Sequence, residues 1–538
     1  MGFTPITYPD SSTHTFQYDP DNNLTQFVDA TGTTTRAYDN CDRMTSESKG
    51  GSTVVSYSYD ATGEKGLLSS VTDANSRVIT FSYTSRNKLY QVSESAGTAT
   101  YSYDANGDET GITNQNGTTV TLSYDNDSRL TGVTNKNSSG TVLSSFSYNI
   151  DTDGRVSAIS EADGSSVTYG YDWGSRLTSE TRTGTNPYSI SYTLDGVGNR
   201  TSQAVGSTST SLTYDNDDEL TSTSGGIVNS YGYNANGEQT SRTLAGTAYS
   251  LSFDYDGQLT SITQGANTTN FSYDALERRV SRTAGGTTTN FQYAGYAVLL
   301  EKQGTSTTAT YTYGNRLIRK DGEYPLFDGL GSERTVSNSS QTVQGTINYD
   351  SFGNTVGSTG SSSDPYMFVA ASRYRNDGDA GLILLGSRYY DAQVGGFITR
   401  DTFLNQHPYI YCSSDPVNFI DPTGHMPDWL RKTINIGEDV AIAVGVVVVV
   451  GVLTPVGAPV WATIIIGAAG GAFAGGAMAG NDYYWDHPDP STWDNSDLGW
   501  SVGRGAAVGG VTGAIGGGAK PINRFLRGFG FPARTLTE

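Results

Sequence analysis

Three aspartates near the end of the repetitive part of the chain are the residues best suited to chemistry. Asp401 follows Arg400 directly, Asp415 stands in the motif S-S-D-P, and Asp421 opens the box D-P-T-G. Two carboxylates a few ångströms apart cannot both ionise, so their pKa values separate and one acts as a base while the other acts as an acid. The alternative is structural, because an aspartate before a proline is a common turn residue and Asp401 would then cap a strand end.

The elements that must position these aspartates carry a repeated Tyr-Asp mark. The anchoring tyrosines fall at 18, 38, 59, 83, 103, 124, 148, 171, 192, 214, 233, 255, 273, 293 and 313. A nearly fixed period of about 21 residues, kept over roughly 300 residues, indicates a repeat architecture.

Each repeat is predicted to be one β-hairpin. The run V-V-S-Y-S-Y-D at 54–60 alternates apolar and polar residues, as a strand does. Asp-x-x-Gly follows at Asp60 and Asp104, and we interpret it as a turn rather than a calcium loop, because its acidic residues are not clustered. About fifteen hairpins give about thirty strands, too many for one open twisted sheet without curling or closing.

A less regular series of motifs follows the repeats. It reads Y-P-L-F-D-G-L-G-S at 324–332, I-N-Y-D-S-F-G-N at 347–354, G-L-I-L-L-G-S-R-Y-Y-D at 381–391 and D-P-V-N-F-I-D-P-T-G-H at 415–425. Together with the Tyr-Asp repeats, this series resembles the Rhs (YD-repeat) family, which includes bacterial polymorphic toxins and shell subunits of insecticidal toxin complexes. The resemblance implies an all-β repeat fold, with a long antiparallel sheet that winds into a shell, and the apolar composition of the tail predicts a small helical C-terminal segment after it.

Four parts of the chain are expected from this resemblance and from composition. Residues 1–15 form an irregular lead-in, and residues 16–323 form the YD-repeat array. Residues 324–424 form the Rhs repeat-associated core domain, and residues 425–538 form a variable C-terminal segment.

In the best-studied members the core domain resembles an aspartic protease that cuts its own chain just after the last D-P-x-G. This chain departs from the family in its first box, which reads D-T-F-L from Asp401 and so lacks the proline and glycine. No other enzymatic activity is predicted. The residues that the resemblance assigns are Arg400, Asp401 and Asp421 as the catalytic set, Asp415 as a reserve, and Gly424 and His425 as the two sides of the cleaved bond.

The function that the resemblance implies is a shell that encloses its own C-terminal segment and releases it by self-cleavage. That segment would be a toxin or a membrane-active element used against bacteria or a host, with a cap, immunity or delivery-system protein as a further partner. The alternative is a non-enzymatic repeat protein of the cell surface or wall that mediates contact or binds carbohydrate. A chain that stays intact after purification would favour this alternative.

The C-terminal segment is strongly apolar in its first half. No charged residue occurs from Val440 to Asn481, and the apolar runs 440–454 and 458–480 are separated by prolines. We predict a helical hairpin there, with a membrane as the partner of residues 440–480. The alternatives are a sequestered cargo, a pore-forming element, a worn-down effector or a linker before a toxin.

Composition excludes several other functions. The formal net charge of −21 disfavours a nucleic-acid-binding surface on the repeats. Cys41 and Cys412 make no disulfide framework, and the four histidines show no metal spacing, so neither metal nor cofactor is predicted. No signal peptide is visible, and we expect an N-terminally incomplete chain from a secreted or cell-surface protein.

Overall fold

The computed structural model describes residues 5–60, 66–402, 407–425, 450–451 and 462–463. Within these ranges the regular structure is antiparallel β-strand with two short 3-10 turns. The predicted all-β fold class is confirmed. The chain divides into two compact units, Met1–Ile442 and Ala443–Glu538.

The first 35 strands form one sheet in which each strand pairs with its neighbours in sequence. These strands are β1 Ile6–Thr7, β2 Thr13–Tyr18, β3 Leu24–Asp29, β4 Gly32–Tyr38, β5 Met44–Lys49, β6 Ser52–Tyr59, β7 Leu68–Asp73, β8 Val78–Tyr83, β9 Leu89–Glu94, β10 Gly97–Tyr103, β11 Glu109–Thr113, β12 Thr119–Tyr124, β13 Leu130–Lys136, β14 Val142–Ile150, β15 Val156–Glu161, β16 Ser166–Tyr171, β17 Leu177–Thr183, β18 Tyr188–Leu194, β19 Arg200–Val205, β20 Thr208–Tyr214, β21 Leu220–Gly225, β22 Asn229–Tyr233, β23 Gln239–Leu244, β24 Thr247–Phe253, β25 Leu259–Gln264, β26 Asn267–Tyr273, β27 Arg279–Ala284, β28 Thr287–Ala294, β29 Ala297–Gln303, β30 Ser306–Tyr313, β31 Leu317–Lys320, β32 Glu323–Phe327, β33 Glu333–Asn338, β34 Val343–Tyr349 and β35 Thr355–Gly360.

A second, four-stranded antiparallel sheet follows, and the 3-10 turns flank it. The remaining elements are the 3-10 turn Ala370–Ser372, β36 Arg375–Asn376, β37 Leu382–Leu385, β38 Arg388–Asp391, β39 Gly396–Phe397, the 3-10 turn Cys412–Ser414, and the paired strands β40 Val450–Gly451 and β41 Ala462–Thr463.

In most repeats the aspartate after the anchoring tyrosine holds the turn through backbone amides, as the sequence predicts, whereas at Tyr255 the turn is held by Asp254 instead. Asp172 Oδ1 accepts the N–H groups of Gly174 and Arg176, both at 2.9 Å, and Arg176 Nε donates to Asp172 Oδ2 at 2.7 Å. Ser175, the fourth turn residue, has a φ of 63°, the left-handed conformation that glycine adopts more readily. The carboxylate is therefore a turn component rather than a calcium ligand.

In eight repeats the tyrosine of the mark ties the repeat to the one before it. Its hydroxyl donates to a main-chain carbonyl 14 or 15 residues earlier, over distances from 2.6 to 3.1 Å. This contact requires a hydroxyl, which explains tyrosine rather than phenylalanine at the position. The pairs are Tyr38 with Leu24, Tyr59 with Met44, Tyr103 with Leu89, Tyr124 with Glu109, Tyr171 with Val156, Tyr214 with Arg200, Tyr273 with Leu259, and Tyr293 with Arg279.

The sheet coils so that later strands lie beside earlier ones. Side-chain contacts join residues that are far apart in the sequence. Tyr8 contacts Asp256, and Glu161, later in the chain, contacts Arg334, so each contact joins a strand to one in the next turn of the coil. All of these contacts lie within Met1–Ile442. The pairs that mark the winding are Tyr8 with Asp256, Glu47 with Arg278, Glu94 with Arg319, Glu109 with Arg316, and Glu161 with Arg334.

The four glutamate–arginine contacts among them form a seam of buried ion pairs between successive turns of the coil. Glu47 is 3% exposed, and its two oxygens lie 2.9 Å from Arg278 and 2.8 Å from Arg36. Burial alone would raise the pKa of Glu47, but the two guanidinium groups outweigh it and hold the pKa below 4.5. The carboxylate is charged in the interior because both partners are present.

Strand β1 and the start of β2 lie within residues 1–15. The main sheet continues past residue 324, through β32 to β35. The division into a repeat array and a core domain stays a prediction.

Four residues of the predicted helical hairpin are described, and they pair as the strands β40 and β41 rather than forming a helix. The rest of that hairpin lies outside the described residues. Over the described part of the chain, the structure contains no helix of the length and apolarity that a membrane crossing requires.

The seam predicts a large effect of Glu47→Gln on stability. Removing the buried charge of Glu47 takes the counter-charge from Arg36 and leaves Arg278 with Asp274 as its remaining partner, so we expect the fold to lose about 3 kcal/mol or more. Asp127→Asn is the control: Asp127 is 67% exposed and 3.4 Å from Arg129. We expect it to cost below about 1 kcal/mol. Urea unfolding measures both, and equal losses would contradict a structural role for the seam.

The same pair predicts a pH dependence. Because the folded pKa of Glu47 lies below 4.5, its stabilisation is complete above that pH and is lost as the pH falls through the lowered value. The difference between wild type and Glu47→Gln should therefore shrink in acid. A difference that is constant from pH 7 to pH 3 would contradict this.

Candidate functional site

The site lies in the four-stranded sheet, which packs on one face of the repeat strands. Leu259 and Phe271 of the repeats form one buried cluster with Tyr389 and Ile398. Arg242 of β23 pairs with Asp391 at the end of β38. The apolar contacts and the ion pair fix the small sheet on the large one.

Arg388 of β38 is the centre of the site. It is 4% exposed, and its guanidinium carbon lies 3.7 Å from the centroid of the Phe397 ring. Its Nη1 donates to the carbonyl oxygens of Pro408 at 3.1 Å and Thr399 at 3.4 Å. These contacts leave Nε and Nη2 directed at the predicted site residues.

The predicted catalytic pair, Asp401 and Asp421, meets at this guanidinium. Arg388 Nη2 lies 2.6 Å from Asp401 Oδ2 and 3.9 Å from Asp421 Oδ2. Asp401 is 6% exposed and Asp421 is fully buried. Both predicted catalytic carboxylates therefore lie beside the same guanidinium group.

The predicted cleavage site lies in the same place. Arg388 Nε donates to the carbonyl oxygen of Gly424, and the Gly424 N–H donates to Asp421 Oδ1 at 2.9 Å. His425 Nδ1 lies 3.2 Å from Asp401 Oδ1. The peptide bond between Gly424 and His425 is thus held on both sides by the predicted catalytic pair.

Arg400 does not supply the guanidinium that the sequence assigned to it. Arg400 is exposed, and Arg388 is the residue that contacts Asp401. The sequence could have indicated Arg388, because it begins the R-Y-Y-D motif that resembles the family most closely. Its distance from Asp401 along the chain concealed the pairing.

Asp415, the reserve candidate, lies in a different environment. Asn418 Nδ2 donates to its two oxygens at 2.8 and 3.1 Å, and Asn418 also contacts the Tyr171 hydroxyl. Burial raises the pKa of Asp415 to about 7. The structure gives it no contact with Arg388, so it does not join the site.

An aromatic wall holds the segment that carries Asp421. The Tyr374 hydroxyl accepts the main-chain N–H of Asp421 at 2.7 Å and lies 3.0 Å from the Tyr411 hydroxyl. Tyr374 and Tyr411 are completely buried. Because the wall excludes bulk water, charges within the site interact more strongly than they would in solvent.

The arrangement has the parts that hydrolysis of one peptide bond needs. Arg388 polarises the Gly424 carbonyl, and Asp401 is a buried carboxylate beside it. Asp421 fixes the amide on the other side of the glycine. In the described ranges no three His, Cys, Asp or Glu side chains come together as metal ligands.

A coiled sheet of Tyr-Asp hairpins with a small core sheet on its face defines a YD-repeat shell protein. The chain belongs to the Teneurin YD-shell family, whose sequence profile matches residues 137–411, more than half of its length. The RHS Repeat profile matches residues 18–54 and 103–142.

Curated relatives match over a short part of their length. The tRNA3(Ser)-specific nuclease WapA of Bacillus spizizenii is 28% identical over 118 residues, and the tRNA nuclease WapA of Bacillus subtilis is 27% identical over 118 residues. Each match covers 21% of this chain and 5% of the relative. The chain thus spans a small fraction of the length of these relatives.

Solved structures of toxin complexes resemble the fold. The crystal structure of TcdB2-TccC3-Cdc42 has a TM-score of 0.48 at 15% identity, over 78% of this chain and 28% of that one. The Photorhabdus luminescens Tc holotoxin pore, with a TccC3 point mutant, has a TM-score of 0.49 at 16% identity, over 79% of this chain and 27% of that one.

The environment of Asp415 predicts a pH-dependent effect of Asp415→Asn. Because the folded pKa, about 7, is above the ordinary 3.8, the wild type loses stability as the pH rises between these values. The neutral asparagine avoids this loss. The melting temperature of Asp415→Asn should therefore rise relative to that of the wild type from pH 4 to pH 8. Parallel curves for the two proteins would contradict the raised pKa.

Proposed function

We propose that this chain is a shell protein that cuts itself between Gly424 and His425 and thereby frees an enclosed C-terminal segment. The observation that carries the proposal is the contact of one buried guanidinium with both the Gly424 carbonyl and Asp401. A turn-forming aspartate alone would not require such a contact.

In the proposed reaction, Asp401 takes a proton from a water molecule that attacks the Gly424 carbonyl carbon. Arg388 stabilises the negative charge that develops on the carbonyl oxygen, as an oxyanion hole does. The carbon–nitrogen bond breaks, and the proton passes to the amide nitrogen of His425, which leaves as an amine. Asp421 positions the glycine through its N–H. Because Arg388 Nε donates to the Gly424 carbonyl oxygen, the carbonyl is polarised by a guanidinium rather than by a protonated second carboxyl.

The wider role follows from the family and its relatives. We propose that the segment 425–538 is the passenger of the shell, and that the protein acts outside the cytoplasm of its cell, secreted or on the cell surface. Relatives named as nucleases and a fold shared with toxin-complex subunits support a role in delivering a toxic segment. A cap, immunity or delivery-system protein would be a further partner.

Intact-mass spectrometry tests the cleavage. Wild type should yield a fragment of about 11–12 kDa that begins at His425, because residues 425–538 have the usual mass of about 0.1 kDa each. Asp401→Asn removes the base and should stay whole. Arg388→Lys keeps the charge but loses the fork that reaches two acceptors, and should be cut at least tenfold more slowly.

Asp415→Asn is the matched control, since Asp415 is a buried aspartate of the same domain that does not contact Arg388. It should be cut as wild type is. A wild-type chain that stays whole would contradict the proposal and favour a passive repeat protein of the cell surface. Cleavage of Asp401→Asn at the wild-type rate would remove Asp401 from the mechanism.

A further inference from the structure

His407 begins a loop, residues 407–411, that contacts both the cleavage site and the repeats. Its Nδ1 accepts the main-chain N–H groups of Tyr409 and Ile410, both at 3.2 Å. Its Nε2 lies 2.9 Å from Asn199 Oδ1. Because a nitrogen that accepts two N–H groups carries no proton, the ring is neutral with its hydrogen on Nε2, which donates to Asn199.

The loop 407–411 also contacts the catalytic residues. The carbonyl oxygen of Pro408, the residue after His407, accepts the N–H of Asp401 at 2.9 Å and Arg388 Nη1 at 3.1 Å. The Tyr409 carbonyl accepts the N–H of Phe397 at 2.8 Å, and Phe397 carries the ring beneath Arg388. A shift of this loop therefore moves both the base and the guanidinium.

The charged groups around the imidazole come from two repeat turns. Asp218 Oδ2 lies 3.9 Å from Nε2, and Asp195 acts from the turn that carries Asn199. Asn199 Nδ2 donates to Asp195 Oδ2 at 3.1 Å and to Asp218 Oδ1 at 2.8 Å. Burial lowers the pKa of His407 below 6.5, and these two carboxylates offset only part of that effect.

We infer that His407 is a positioning residue that couples the repeats to the self-cleavage site through its neutral ring. The inference rests on the proposed function. A proton on Nδ1 would prevent this nitrogen from accepting the N–H groups of Tyr409 and Ile410. The loop would then lose both hydrogen bonds and be released. The imidazole therefore makes cleavage slow down as the pH falls below the ordinary range of histidine.

Two variants test the roles of the two ring nitrogens of His407 separately. His407→Asn keeps an acceptor at the place of Nδ1, and His407→Gln keeps a donor at the place of Nε2; neither side chain titrates. Full-length chains made by cell-free translation are shifted to buffers from pH 5 to pH 8, and the fragment is followed on gels. Melting temperatures are recorded beside the rates, which are measured well below them.

For His407→Asn we expect a rate close to wild type at pH 7.5 and a smaller decrease in acid than wild type shows. For His407→Gln we expect a rate about tenfold lower at pH 7.5, since two main-chain N–H groups lose their acceptor. If wild type is cut and both variants match its rates and pH profile, His407 has no such role. If wild type is not cut at all, the proposed function fails, and this inference fails with it.

Discussion

A carboxylate buried between two turns of a sheet must meet a cation there, because an unpaired charge in the interior costs several kcal/mol. Glu47, Glu109 and Glu161 meet arginines that follow them by 231, 207 and 173 residues. Each pairing is satisfied only when the coil has the right register. The seam therefore selects one winding of a sheet whose local hairpins would permit many.

The site inherits its geometry from that winding. Arg242 and Arg279 of the repeats pair with Asp391 and Asp377 of the core, and the Tyr409 hydroxyl donates to the Gly237 carbonyl at 2.9 Å. The core sheet is thus fastened to strands whose places the coil has already determined. The same packing directs Arg388 at Gly424, so a change in the winding of the coil would displace Arg388 from the site.

Local features of the fold could be read from the sequence, and distant ones could not. The Tyr-Asp turn depends on residues within four positions of one another, so its hairpin and its left-handed fourth residue were predictable. The partner of Asp401 was not, because proximity along the chain indicated Arg400, whereas the strand pairing of β38 brings Arg388. The buried glutamates of the seam also look like ordinary polar residues of strands, since the arginines that they meet across the seam are more than 170 residues away.

The proposed reaction depends on one guanidinium that contacts both the Gly424 carbonyl and Asp401 before the chain is cut. An experimental structure of the uncut chain with Asp401→Asn would test this contact most directly. We predict Arg388 Nε within hydrogen-bond distance of the Gly424 oxygen, with residue 401 beside Nη2. An Arg388 side chain turned to solvent, or residues 424 and 425 far from β38, would contradict it.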